Sequence, residues 1–278
     1  MEKHTIFIEG IPGSGKSTLL NSLHAKLPRY HAYREGDLTP LELAWCACMT
    51  PDQYDNAIKT YPKLAGAIAS HTQRQGPYRV TAYTQIPSQD REFYAYMEQY
   101  EIYGGRRCRE QFQKIVLSRF QTLPDTCAIY ECALLQNILE ELMLFACSSD
   151  SDILAFYQKL FSCLDPDRIR IIRLFPADPA QTVDAIRRER IDGEGKEVWY
   201  TMMLGYLCRS PYGKAHAYQD FDDVIDHFRR RITLEDQILT LLPASCRLDL
   251  ASRQYTLDPI LHWLGEEAIR KNPAQERN

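Results

Sequence analysis

Three glycines, a lysine and a serine stand close together in Gly10-Ile11-Pro12-Gly13-Ser14-Gly15-Lys16-Ser17-Thr18, and their types and spacing suit the holding of a polyphosphate. Gly10 to Ser17 fits G-x-x-x-x-G-K-[ST] at every fixed position. Residues without a Cβ let main-chain N–H groups close around phosphate oxygens. The first turn of the following helix adds unpaired donors and the positive end of its dipole. In such a cradle Lys16 puts a point charge between the β- and γ-phosphates, and the Ser17 hydroxyl ligates Mg²⁺. Gly10, Pro12, Gly13, Ser14, Gly15, Lys16, Ser17 and Thr18 are therefore the expected nucleotide-binding residues, with ATP and Mg²⁺ as the expected cofactors. The plainer alternative is an ordinary glycine turn between a strand and a helix. A match at every fixed position argues against it.

Phosphoryl transfer also needs an acceptor held in line and cations over the developing charge. Arg34-Glu35-Gly36-Asp37 follows a short strand candidate, so its carboxylates are expected at a sheet edge facing the phosphate loop. Glu35 is the expected group for taking the acceptor's proton, and Arg34 and Asp37 are expected to touch the acceptor. Glu131 ends the apolar run Thr126–Tyr130, the position of a metal-holding carboxylate, and is paired with Ser17 as a metal residue. Arg187, Arg188 and Arg190 precede the loop Asp192-Gly193-Glu194-Gly195-Lys196. One helical turn points them in different directions, so no more than two reach a common phosphate. Arg187 and Arg190 are the catalytic candidates, on a lid that closes over the reaction and excludes water.

These groups must be positioned by strands alternating with helices. Strands are expected at Thr5–Gly10, Tyr30–Arg34, Asp125–Tyr130, Arg168–Phe175 and Cys246–Leu250. Helices are expected at Lys16–Leu27, Leu134–Ala146, Ile153–Leu164, Ala180–Ile191, Val198–Cys208, Phe221–Leu242 and Leu257–Ile269, with 271–278 frayed. That alternation predicts a parallel sheet with helices on both faces, its ligands at the carboxyl ends of the strands. Residues 40–123 exceed a plain crossover and are expected to form a helical insertion on the acceptor side. Within it Leu41–Met49 is expected as a buried helix, and the aromatics from Tyr78 to Tyr103 either build its core or stack on a planar acceptor.

Composition narrows the partners. A net charge of −4 gives no general attraction to nucleic acid or to an anionic membrane. No apolar run approaches the ~20 residues that span a bilayer. Strand-forming residues begin so near Met1 that no signal peptide is expected, and the nine scattered cysteines, none in a C-x-x-C pair, suit reduced thiols in a cytoplasmic protein.

Ile6-Phe7-Ile8-Glu9-Gly10 leading into Gly13-Ser14-Gly15-Lys16-Ser17-Thr18 resembles the opening of thymidylate kinases and related deoxynucleoside kinases. Tyr33-Arg34-Glu35 resembles the Arg-Glu pair after their second strand, and Cys127–Glu131 resembles their third strand. Ile171–Arg190 resembles their strand, Asp-Pro turn and arginine-rich lid helix. Arg106, Arg107 and Arg109 resemble arginines that touch substrate in nucleoside kinases, and Arg107 is carried forward as a substrate-binding candidate. The chain departs from the pattern at Gly36-Asp37, where those enzymes continue with proline, and at Cys132-Ala133, where an arginine usually follows the acidic residue. The resemblance implies a P-loop NTPase three-layer α/β sandwich, one kinase-like domain over 1–278, with the insertion at 40–123 and the lid at 187–199. It implies ATP- and Mg²⁺-dependent transfer of the γ-phosphoryl group to a nucleoside, a nucleoside monophosphate or another small acceptor, by a monomer or a homodimer. A nucleotide-dependent binding module or switch is the alternative function, although no base-specifying N-K-x-D segment is present.

Overall fold

The computed structural model describes residues 4–124 and 126–265. Its centre is β1 (Thr5–Gly10), buried along its whole length, as the apolar run Ile6-Phe7-Ile8 requires when both faces are covered. α1 (Lys16–Lys26) follows the loop and turns Leu19, Leu20 and Leu23 back onto the sheet. After β2 (His31–Tyr33) the chain leaves this sheet through β3 (Ala47–Met49), α2 (Pro51–Thr60), α3 (Ala65–Ser70), β4 (Thr72–Gln75), β5 (Tyr78–Thr81), α4 (Arg91–Glu98) and α5 (Arg109–Gln121). It returns at β6 (Ala128–Glu131) and continues through α6 (Gln136–Glu140), α7 (Asp150–Phe161), β7 (Ile169–Phe175) and α8 (Pro179–Glu189). α9 (Val198–Arg209), α10 (Pro211–Ala215), α11 (Phe221–Leu239), β8 (Arg247–Ala251) and α12 (Leu257–Trp263) complete the described chain.

Five strands form one sheet in the order β2-β6-β1-β7-β8, parallel at every pairing. The fold is therefore α/β with a central parallel sheet. Ile8 pairs with Glu131 and Gly10 with Leu174, so β6 and β7 end on either side of the glycine loop. Alternate residues face opposite sides of the sheet. Ile6, Ile8, Ile129 and Ile172 pack under leucines of α1 and α12, while Phe7, Tyr130 and Ile171 pack with α5, α7 and α11 on the other face.

Residues 40–123, expected as a helical insertion with an extended stretch at Pro77–Pro87, are not mainly helical on the side of that stretch. β3, β5 and β4 pair antiparallel in a separate three-stranded sheet, with Cys48 opposite Val80. Nor is Leu41–Met49 a helix. Thr39 Oγ1 accepts from Leu41 N and Glu42 N, and Glu42 Oε1 accepts from Leu43 N and Ala44 N. These side-chain oxygens take the N–H groups that a helix would use, leaving Ala47–Met49 free to pair as a strand. The insertion has its own core of Met49, Ile68, Phe93 and Met97. Most of the aromatics join it: Tyr61 meets Phe93 edge-on at 5.3 Å, and Tyr96 meets Tyr100 at 5.5 Å.

The expected helix Leu134–Ala146 is α6 followed by a π-helical turn at Glu141–Phe145, and α10 was not foreseen. The expected end of the last helix and the frayed tail at 271–278 lie outside the described residues, as does Asp125. All nine cysteines are free; Cys46, Cys48, Cys132 and Cys246 are buried, whereas Cys108 and Cys147 are exposed. No helix among the described residues is long and apolar enough to cross a membrane.

Candidate functional site

The glycine loop is shaped by what surrounds it. A Cβ on Gly10 would stand 2.4 Å from the carbonyl oxygen of Leu174, so close an approach of β7 that only glycine fits. Gly15 turns the chain into α1 at a φ of +95°, a left-handed value that L side chains rarely adopt. Ser252 Oγ donates to the Ser14 carbonyl at 2.7 Å, and Arg253 Nε donates to that of Gly13 at 3.1 Å. Arg253 in turn pairs with Glu189 at 3.2 Å. The connection between β8 and α12 thus braces the loop against the end of α8.

Lys16 is buried, and its ammonium donates to Gly10 O at 2.9 Å and Ile11 O at 3.0 Å. Ser17 Oγ donates to Glu131 Oε1 at 2.5 Å, although the two residues stand 114 positions apart. The parallel register of β1 with β6 produces this meeting, because Glu131 is opposite Ile8 at the carboxyl end of the sheet. Hydroxyl and carboxylate oxygens side by side are a hard donor pair suited to Mg²⁺. Among the described residues no group of three or more His, Cys, Asp or Glu side chains could hold a metal ion. A cation between Ser17 and Glu131 would therefore draw most of its ligands from phosphate and water, which is the usual habit of Mg²⁺.

A cavity of about 1010 Å³ opens beside this pair. Of the residues expected from the sequence, Pro12, Gly13, Gly15, Lys16, Ser17, Thr18, Glu35, Glu131 and Arg190 line it. Gly10 and Ser14 support the loop from behind. Four others do not line it. Arg34 is exposed and donates to Asn21 Oδ1 on α1 at 2.6 Å. Asp37 closes its own turn by accepting from Arg34 N at 2.8 Å and from Gln85 Nε2 at 3.0 Å. Arg107 donates to the carbonyls of Cys48 and Tyr100 and so ties the insertion together. Arg187 pairs with Glu197 at 2.9 Å and lies over the rings of Tyr200 and Phe221, so it fastens α8 to α9.

Sequence reasoning missed a buried charge network. Arg231 on α11 is fully buried; it donates to Glu140 at 2.9 Å, to Glu235 at 2.8 Å and to the carbonyl of Gly10 at 3.1 Å. His227 Nε2 meets the other oxygen of Glu140 at 2.8 Å. Burial alone would push the Glu140 carboxyl up, but His227 and Arg231 outweigh it and hold the group down at about 2. The signal was present. His227, Arg231 and Glu235 are spaced four apart and share the stripe of Phe228, Leu234 and Ile238, where solvated charges do not belong.

Glu9 is also buried, accepts from Leu134 N at 2.7 Å and Gln136 N at 3.1 Å, and fixes the turn after β6. Burial pushes it up to about 7 against those two hydrogen bonds. Glu101, on the insertion's side of the cavity, is likewise pushed up to about 7 by burial, with the Tyr83 hydroxyl at 2.6 Å pulling the other way. Trp45, Gln136, Trp199, Met202 and Tyr206 are further lining residues that no local motif announced. Around the loop the lining sets Lys16, Arg190, Arg231 and Arg253 among Glu131, Glu140 and Glu189, and from the insertion it takes Trp45, Glu98, Glu101, Tyr103 and Arg106. No protein-family model matches this chain, and among curated proteins none is similar enough to match.

Proposed function

We propose that this chain is an ATP- and Mg²⁺-dependent small-molecule kinase with the P-loop NTPase three-layer sandwich of the thymidylate and deoxynucleoside kinases. The observation that carries the reading is the contact of Ser17 Oγ with Glu131 Oε1 at 2.5 Å, one helical residue beyond Lys16 and at the carboxyl end of the neighbouring parallel strand. An ordinary glycine turn has no reason to bring a lysine, a hydroxyl and a strand-end carboxylate to one cavity. Support also comes from the bracing of Gly13 and Ser14 by Arg253 and Ser252, which holds the loop's shape independently of any ligand.

In this reading the loop amides and Lys16 hold the triphosphate, and Ser17 and Glu131 hold Mg²⁺, which when bound neutralises charge on the transferring phosphoryl group. Arg190 places a second cation over that charge. Glu35, kept in place by Gln136 Nε2 at 3.4 Å, accepts the proton of the attacking hydroxyl. Catalysis of this kind is mainly positioning and electrostatics, because the protein forms no bond to the substrate.

Calorimetric titration with ATP, with and without Mg²⁺, tests the reading. Saturable binding that tightens with Mg²⁺ is expected, followed by transfer of label from γ-labelled ATP to a small alcohol. Absence of ATP binding refutes it. Slow hydrolysis indifferent to every acceptor would favour the switch instead.

A further inference from the structure

The far half of the cavity is unlike the phosphate half. Trp45 stands on its wall with 48% of its surface exposed, although an indole gains by burial, and its backbone is held at a φ of +60°. Trp199, Tyr206 and Met202 face the same space. Two carboxylates there have no cationic partner of their own among the described ion pairs. Glu101 is only 8% exposed and takes a single hydroxyl, from Tyr83. Glu35 takes a long contact from Gln136.

Gln136 supplies the independent observation. It is 8% exposed, lines the cavity, and its Oε1 is buried with no hydrogen-bond partner. Its Nε2 is already directed at Glu35 and at Asn137, both at 3.4 Å, which fixes the oxygen as the unsatisfied atom. A buried acceptor without a donor is costly, so the site asks for an N–H or O–H from a ligand. Gln136 Oε1, Glu35 and Glu101 are thus acceptors on a cavity that Trp45 and Trp199 also line.

Carboxylate plus indole face is the environment that recognises an organic ammonium group. Two arginines also line the cavity: Arg106 is bound to Glu98, and its pull on Glu101 does not offset burial, while Arg209 stands exposed at the end of α9. Arg34 and Arg107, which could have held an anionic acceptor, are engaged elsewhere.

We propose that the phosphoryl acceptor is an amino alcohol, whose protonated amine is held by Glu101 and Trp45 while a hydroxyl of the same molecule is presented beside Glu35. The proposal rests on the kinase reading. The hydroxyl oxygen forms a bond to the γ-phosphorus of ATP, the bond from that phosphorus to the β-bridging oxygen breaks, ADP leaves, and the proton passes to Glu35 and then to water. Burial raises Glu101 even though Arg106 and the Tyr83 hydroxyl pull the other way, and an ammonium group beside it would relieve that.

The test uses the full chain and paired probes: neamine and its fully N-acetylated form, with glucosamine and N-acetylglucosamine as a smaller pair. Thymidine and thymidine monophosphate serve as neutral and anionic probes. Binding is measured by calorimetry and transfer by γ-labelled ATP. At least one free amine should bind about tenfold more tightly than its acetylated partner and accept phosphate. That preference should fall to near parity in Glu101→Gln and shrink in Trp45→Leu, each checked for a cooperative unfolding transition. Should Glu101→Gln fail to fold, Trp45→Leu, altered at a half-exposed position, decides. The proposal is overturned if neither amine binds, if amine and amide bind alike, or if thymidine or its monophosphate is the better acceptor. ATP–Mg²⁺ titrated into the same samples reports on the kinase reading separately, because nucleotide can bind normally while every amine fails.

Discussion

Arg231 Nη2 and Lys16 Nζ donate to the same oxygen, the carbonyl of Gly10, at 3.1 and 2.9 Å. A lysine drawn to a phosphate must let go of that carbonyl, and Arg231 keeps it paired when this happens. The arginine therefore holds the first residue of the loop while the lysine is free to serve a ligand. It is itself held by Glu140 and Glu235, with no exposure to solvent.

The first prediction concerns that arginine. Arg231→Met leaves two buried carboxylates short of a partner and should cost about 3–5 kcal/mol of unfolding free energy. Adding Glu235→Met removes one of the stranded charges and should restore part of the loss. Denaturant unfolding of the single and double variants decides. A double variant no more stable than Arg231→Met would show that the charge network is not what holds α11 under the loop.

A second prediction separates Ser17 from Glu131 in the proposed metal role. Ser17→Ala and Glu131→Gln should each abolish most of the tightening of ATP binding by Mg²⁺, while ATP binding in the absence of metal changes little. Turnover should fall on the order of a hundredfold in either variant, as it does when a group acting mainly on transition-state charge is removed. Calorimetry at fixed ATP with varied Mg²⁺ is the measurement. If Mg²⁺ still tightens ATP normally in Glu131→Gln, the carboxylate belongs to the hydroxyl alone.

Much of the candidate site around the glycine loop was legible because its information is local. Gly10, Gly15, Lys16 and Ser17 lie within one loop and one helical turn, and residue type alone limits what they can do. Glu131 was legible for a related reason, since an apolar run that stops at an acid marks the carboxyl end of a buried strand. The insertion was not. Its sheet pairs Ala47–Met49 with Tyr78–Thr81 across some thirty residues, and the capping of 41–44 by Thr39 and Glu42 competes with a helix in a way that periodicity does not record. Arg34 and Arg190 show the same limit at the site. Both follow an element that ends at the cavity, and only side-chain partners decide that Arg34 turns to Asn21 while Arg190 lines the cleft.

That divergence extends to the arginines at the end of α8 and gives a third prediction. Arg190 lines the cavity, whereas Arg187 is spent on Glu197, Tyr200 and Phe221. Arg190→Ala should lower kcat by more than tenfold with a small change in unfolding temperature. Arg187→Ala should do the reverse, loosening α8 from α9 by under about 1 kcal/mol through a half-exposed ion pair and its ring contacts. Steady-state kinetics beside thermal unfolding tests both. A larger kcat loss in Arg187→Ala would mean that the α8–α9 contact breaks in the working conformation.

The last prediction is a pH dependence of stability. Glu9, Glu42, Glu101 and Glu141 are each pushed up by burial to about 7 from an ordinary value of 4.5. A carboxyl raised by folding favours the folded chain while it keeps its proton. Its contribution is complete below pH 4.5 and is lost as pH climbs through about 7. Glu140 behaves oppositely: held at about 2, it stabilises above 4.5 and loses that effect only in strong acid. Between pH 5 and 8 the net stability should therefore fall as pH rises. For one carboxyl the shift corresponds to on the order of 3 kcal/mol, at about 1.4 kcal/mol per unit. Glu101→Gln isolates one of the four, because an amide oxygen can still accept from the Tyr83 hydroxyl at 2.6 Å. The variant should match the parent near pH 5, exceed it near pH 8, and show a shallower slope between the two. Urea unfolding at several pH values gives the comparison, and a parent stability that rises toward pH 8, or a slope untouched by the substitution, would show that Glu101 is ionised in the fold without penalty.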